Sequence, residues 1–115
     1  MPNTRAYQIA QIPFVATNAL TGTTYTTVLA DQGKLVELNN ASAITLTVPA
    51  NSSVAYPTGT QIDLLQTGAG QVTVAGAGGV TVNATPGLKL RAQWSAGTLI
   101  KRGTDTWVLI GDLSA

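Results

Sequence analysis

Residues 44–48 read Ile-Thr-Leu-Thr-Val, and this stretch decides the fold class. Apolar and polar side chains alternate with a period of two, so Ile44, Leu46 and Val48 share one face of a strand while Thr45 and Thr47 share the other. Asn39-Asn40 before the run and Pro49 after it are turn and breaker residues. Working outward, the same alternation recurs in Val72-Thr73-Val74, in Val80-Thr81-Val82 and in Leu88-Lys89-Leu90-Arg91. Strands are predicted over 24–30, 34–38, 44–48, 60–66, 71–75, 80–83, 88–93, 98–102 and 106–111. Between them lie turn sequences such as Asp31-Gln32-Gly33, Gly68-Ala69-Gly70, Gly76-Ala77-Gly78-Gly79 and Pro86-Gly87. About nine short strands at this spacing predict an all-β domain, a single β-sandwich or barrel, over residues 24–115. The two Val-Thr-Val segments read as two strands joined by the 75–79 loop rather than as a solenoid, which needs sustained repeats.

Residues 1–23 differ. They carry Ile9, Ile12, Phe14 and Val15 with Pro2 and Pro13 and no clean period, which predicts an extended N-terminal arm. Gln8, Gln11 and Pro13 interrupt it, so neither a membrane span nor a secretory leader is expected there.

The chain has 115 residues, 44% of them hydrophobic, enough for one core and too few for two. It contains no Cys and no His, which removes thiol nucleophiles, Ser-His and Cys-His pairs, imidazole or thiolate metal sites and disulfides. A net charge of +1 with no long basic run predicts no nucleic-acid partner. Only 10% of residues are charged, against roughly 25% in an ordinary soluble domain, while threonine occupies 18 positions.

The Gly-rich loops lead into Val-Thr-Val and not into a helix, so they are turns rather than phosphate cradles. The five acids, Asp31, Glu37, Asp63, Asp105 and Asp112, are scattered over turns and outward strand positions, and no enzymatic carboxylate pair is expected. No cofactor or metal is expected either. Trp107 lies in a run apolar on both faces and reads as core, whereas Trp94 and Tyr56 are the aromatics available to a glycan platform. Leu99-Ile100 and Val108-Leu109-Ile110 are apolar on both strand faces, and a small sandwich buries only one face of each sheet. Leu99, Ile100, Val108 and Ile110 are therefore the expected subunit interface of a homo-oligomer.

Several runs carry a resemblance. Leu29-Ala-Asp-Gln-Gly-Lys-Leu-Val-Glu-Leu-Asn-Asn40, Gly68-Ala-Gly-Gln-Val-Thr-Val74, Leu88-Lys-Leu-Arg-Ala-Gln93 and Gly103-Thr-Asp-Thr-Trp-Val-Leu-Ile-Gly-Asp-Leu113 resemble a small β-rich domain of structural proteins from tailed bacteriophages, prophages and gene transfer particles. The resemblance spans about Thr24 to Leu113 and brings no catalytic motif. It implies a virion structural protein, assembled in the host cytoplasm. One domain with one arm fits a capsid decoration or cement protein, or the base of a head fibre or spike. The expected partners are further copies, a trimer first and a pentamer second, and the major capsid protein or another virion protein. Ile9, Ile12, Phe14 and Val15 are the expected capsid-docking residues. The alternatives are a tail-fibre or baseplate component, or a carbohydrate-binding module using Trp94 and Tyr56 for host adsorption.

Overall fold

The computed structural model describes residues 16–115, and the alternating runs form strands because each can bury one face. In chain order they are β1 (Thr17–Leu20), β2 (Thr24–Thr26), β3 (Leu35–Leu38), β4 (Ile44–Val48), β5 (Gln61–Gln66) and β6 (Val72–Gly76). There follow β7 (Thr81–Ala84), β8 (Lys89–Leu90), β9 (Ala96–Gly103), β10 (Thr106–Gly111) and β11 (Leu113–Ser114). A 3-10 turn, Leu29–Asp31, is the only helical element among the described residues.

The strands form two sheets, a six-stranded one in the order β1-β3-β5-β9-β10-β7 and a five-stranded one in the order β11-β8-β6-β4-β2. From β1 to β6 the chain alternates between the sheets, and each strand pairs in parallel with the one two places earlier. The path is solenoid-like. Leu35 stands beside Thr17 and Asp63 beside Leu35, while Thr45 stands beside Thr24 and Thr73 beside Thr45. After β6 the chain doubles back. β8 and β9 run antiparallel to β6 and β5, β10 antiparallel to β9, and β7 closes the far edge beside β10.

Inward-facing residues of both sheets meet in one core. Val36, Leu38, Ile62, Leu64, Leu99, Trp107 and Leu109 come from the six-stranded sheet, and Ile44, Leu46, Val48, Val72, Val74, Leu90 and Leu113 from the five-stranded one. Trp107 packs edge-on against Tyr56 with ring centroids 5.3 Å apart, a favoured aromatic geometry. Gly70 is required at the corner before β6, because a Cβ there would lie against the Ser42 carbonyl while its own N–H donates to Asn40 O at 2.7 Å.

The all-β class and the two sheets agree with the sequence expectation. The strands number eleven rather than about nine, and the winding is solenoid-like. A solenoid was unexpected because its steps are unequal and its third turn carries the Pro49–Thr60 excursion, so no repeat shows in the sequence. The two Val-Thr-Val segments do lie on separate strands, β6 and β7, in different sheets. The arm boundary at residue 23 is also corrected. Residues 17–20 have no apolar alternation, yet they pair with β3, held further by Leu35 N–H to Ala16 O and Asn39 N–H to Leu20 O, each 2.9 Å. Residues 91–93 make a bend instead of continuing β8.

Candidate functional site

The core-facing alternation leaves a second face on the six-stranded sheet, and that face is largely apolar. In register across it, Val108 stands beside Ile100, Ile110 beside Thr98, Thr98 beside Asp63, Asp63 beside Leu35, and Leu65 beside Ala96. Ile110 is 57% exposed, and Leu35, Leu65, Ile100 and Val108 are each half-buried. Two shallow grooves flank the Ile110 side chain. One, of about 420 Å³, runs between β10 and β7 past Asn83, Ala84 and Val108. The other, of about 280 Å³, passes Leu35, Asp63, Ala96 and Thr98. The carboxylate in the middle of this face is already engaged, since Thr98 Oγ1 donates to Asp63 Oδ1 at 2.7 Å. Covering the face therefore desolvates an acid that retains a partner.

Of the four residues expected at a subunit interface, Ile100, Val108 and Ile110 lie together on this face. Leu99 is corrected: it is fully buried in the core, because strand alternation turns it opposite to Ile100. The glycan platform is not assembled. Tyr56 is 3% exposed, with its hydroxyl 2.9 Å from Thr27 Oγ1 and 2.7 Å from Val28 O, whereas Trp94 is 67% exposed at the turn before β9. The Trp94 backbone has a φ of 72°, a left-handed conformation that strains a bulky residue, and its N–H donates to Gln66 O. Ile9, Ile12, Phe14 and Val15 lie outside the described residues.

The acids do not converge. Among the described residues, no group of three or more acidic or metal-ligating side chains exists. Asp112 pairs bidentately with Arg91 at 2.8 and 2.9 Å and accepts from Ser95 Oγ at 2.7 Å. These bonds, with Arg91 first, hold the Asp112 carboxyl below its ordinary range, and the Asp112 partner raises Arg91 in turn. Asp105 takes a left-handed backbone, φ 55°, and accepts from Asn51 N–H at 2.7 Å.

No family model, curated protein or solved structure matches this chain.

Two buried polar nodes escaped the sequence reading. Asp31, fully buried, accepts from Tyr25 OH at 2.5 Å, Val28 N–H at 3.0 Å and Asn18 Nδ2 at 3.1 Å. Burial first, and then the bond to Asp31, pushes the Tyr25 hydroxyl far above its ordinary value. Lys101, 3% exposed, donates from Nζ to Asn51 Oδ1 at 2.6 Å and to Tyr56 O at 2.7 Å. A signal for Lys101 was present: with Leu99 inward and Ile100 outward, the period of two turns Lys101 inward as well. Asp31 had none, because its partners are brought to it by the first turn of the winding.

Proposed function

We propose that this chain is a non-enzymatic virion structural protein, a capsid-attached decoration or cement protein or the base of a head fibre or spike. It assembles as a homo-oligomer through the outer face of the six-stranded sheet. The observation that supports this reading is the contiguity of Leu35, Leu65, Ile100, Val108 and Ile110 on one face of a chain with few charges anywhere. Contiguous apolar patches of this kind mark interaction surfaces. A second copy is the favoured occupant because the face carries both a protruding side chain, Ile110, and grooves beside it to receive the same side chain from a neighbour. The resemblance over Thr24 to Leu113 supplies the virion setting, and a trimer is the first choice of symmetry. Its strands, if arranged as a sandwich, would present one such face per subunit.

Light scattering of the purified chain at micromolar concentration tests the assembly, with a discrete oligomer expected and a monomer counting against it. Immunogold labelling of particles from the host tests the station. Label on the head supports the decoration reading, label on the tail transfers the protein to the fibre or baseplate class, and absence of label from particles rejects the virion assignment.

A further inference from the structure

The Lys101 node is an unusual way to bury an amine. Among the described residues the only ion pair is Arg91–Asp112, so Lys101 has no carboxylate counter-ion at salt-bridge distance. Its Nζ instead touches a carboxamide, Asn51 Oδ1, at 2.6 Å, and Tyr56 O at 2.7 Å. The setting is apolar: Trp107 is the register neighbour of Lys101 on β10, and the Tyr56 ring stands against Trp107. An acid lies beside the carboxamide residue, since Asp105 Oδ1 accepts the Asn51 N–H at 2.7 Å. Amine, carboxamide and acid are thus gathered at one place from segments some fifty residues apart, with water largely shut out.

We propose that Lys101 and Asn51 join in an intramolecular isopeptide bond. The contact at Oδ1 sets Nζ against the adjoining Cγ, and rotation about the Cε–Nζ bond turns the lone pair of the neutral amine onto that carbon. Nζ–Cγ forms while the carbonyl electron pair moves to Oδ1. The pair then returns, the Cγ–Nδ2 bond breaks, and Nδ2 leaves as ammonia. Nζ gives up one proton and Nδ2 gains one, and the Asp105 carboxyl carries it between them and ends unchanged. One amine and one carboxamide become one secondary amide plus ammonia, with no oxidant, reductant or cofactor consumed. Fixed proximity supplies the rate, because groups held at contact react with effective concentrations far above any reached in solution. Exclusion of water protects the path from hydrolysis. The product would bolt the 49–60 loop to β9, immediately beneath the apolar face on which Ile100 lies.

Intact mass spectrometry of the purified full chain tests this directly. The wild-type protein is expected to weigh less than its sequence by one ammonia. Its tryptic digest is expected to contain a branched peptide joining the Asn51 and Lys101 segments, with no cleavage after Lys101. Asn51→Ala and Asp105→Asn are expected to show the full sequence mass and cleavage after Lys101. The wild-type measurement requires no variant to fold. Full sequence mass in the wild type after prolonged incubation at neutral and mildly alkaline pH overturns the proposal, as does an ammonia loss mapped to any other residue. A bond that forms undiminished in Asp105→Asn overturns the role given to Asp105.

Discussion

Replacing Asp31 by Ala should unpin the first turn of the winding. The carboxylate is fully buried and accepts three hydrogen bonds, from Tyr25 OH, Val28 N–H and Asn18 Nδ2. Hydrogen bonds to a charged group contribute about 1.5–3 kcal/mol each, so simple addition would give roughly 4–9 kcal/mol. Two effects reduce this. The unfolded-to-folded desolvation cost of the carboxylate is recovered on its removal, and water can reach Val28, which is 47% exposed. Breaking a buried charged cluster typically costs about 3–5 kcal/mol, and the lower part of that range is expected here. For a domain of this size that lowers the melting temperature by roughly 12–20 °C. Tyr25→Phe, which deletes one donor and leaves the other two, should cost about half as much.

The same node sets a pH dependence. The Tyr25 and Tyr56 hydroxyls are both raised above their ordinary value of 10.0, each chiefly by burial. The unfolded chain therefore releases these protons first, so their contribution is complete below pH 10 and is lost as pH rises from there through the folded-state values. Circular-dichroism melts at neutral pH and above pH 10 provide the assay, and Tyr25→Phe should flatten part of the alkaline decline. An Asp31→Ala variant within about 1 kcal/mol of wild type would refute the view that this node holds β1 and β2 to the domain.

Three further outcomes are expected. Ile110→Asp should weaken self-association at least about tenfold by light scattering, since the 57% of Ile110 still exposed is worth on the order of 1–1.5 kcal/mol when covered, and a carboxylate resists the same covering; an unchanged oligomer would place the interface elsewhere. Trp94→Gly should hold or raise the melting temperature, because a left-handed residue with a Cβ costs about 1–2 kcal/mol, whereas a clear loss would mean that the exposed ring packs in some way that offsets the strain. Gly70→Ala should destabilise by at least about 2 kcal/mol in denaturant titrations, because the added methyl meets the Ser42 carbonyl and the backbone must move.

The strands that face a core were legible and the path between them was not. Ile44–Val48 and Thr106–Gly111 have the predicted bounds, because alternation or a two-faced apolar run leaves little freedom in where a strand begins and ends. β1, Thr-Asn-Ala-Leu, has neither pattern and is a strand only because β3 offers it a parallel edge. Parallel neighbours two elements apart leave no turn signal between them, unlike hairpins, so the winding could not be read from Gly, Pro and Asn positions. Within the candidate face, Ile100, Val108 and Ile110 were found from two-sided apolarity. Leu35 and Leu65 were missed because each sits alone beside charged or polar neighbours and joins the patch only across strands. Leu99 was misplaced for the complementary reason: apolarity on both faces does not say which face is the core.

The doubling back at β8 and β9 makes the two ends of the molecule unequal. One end of the stack is finished by antiparallel strands. At the other, β1 and β2 are the outermost strands of their sheets among the described residues. A chain built this way has length as a free variable. Another lap of some twenty residues could be laid down ahead of β3 without altering the finished end, its core contacts or the Ile110 face, since each lap depends only on its neighbour. The Pro49–Thr60 excursion marks the complementary freedom, a corner where a lap can swell outward without disturbing the register of β5 beneath β3. Relatives by descent would then differ in number of laps and in corner size while keeping the last fifty residues nearly constant, and matching them residue by residue along the whole length would fail where comparison of that terminal half would succeed.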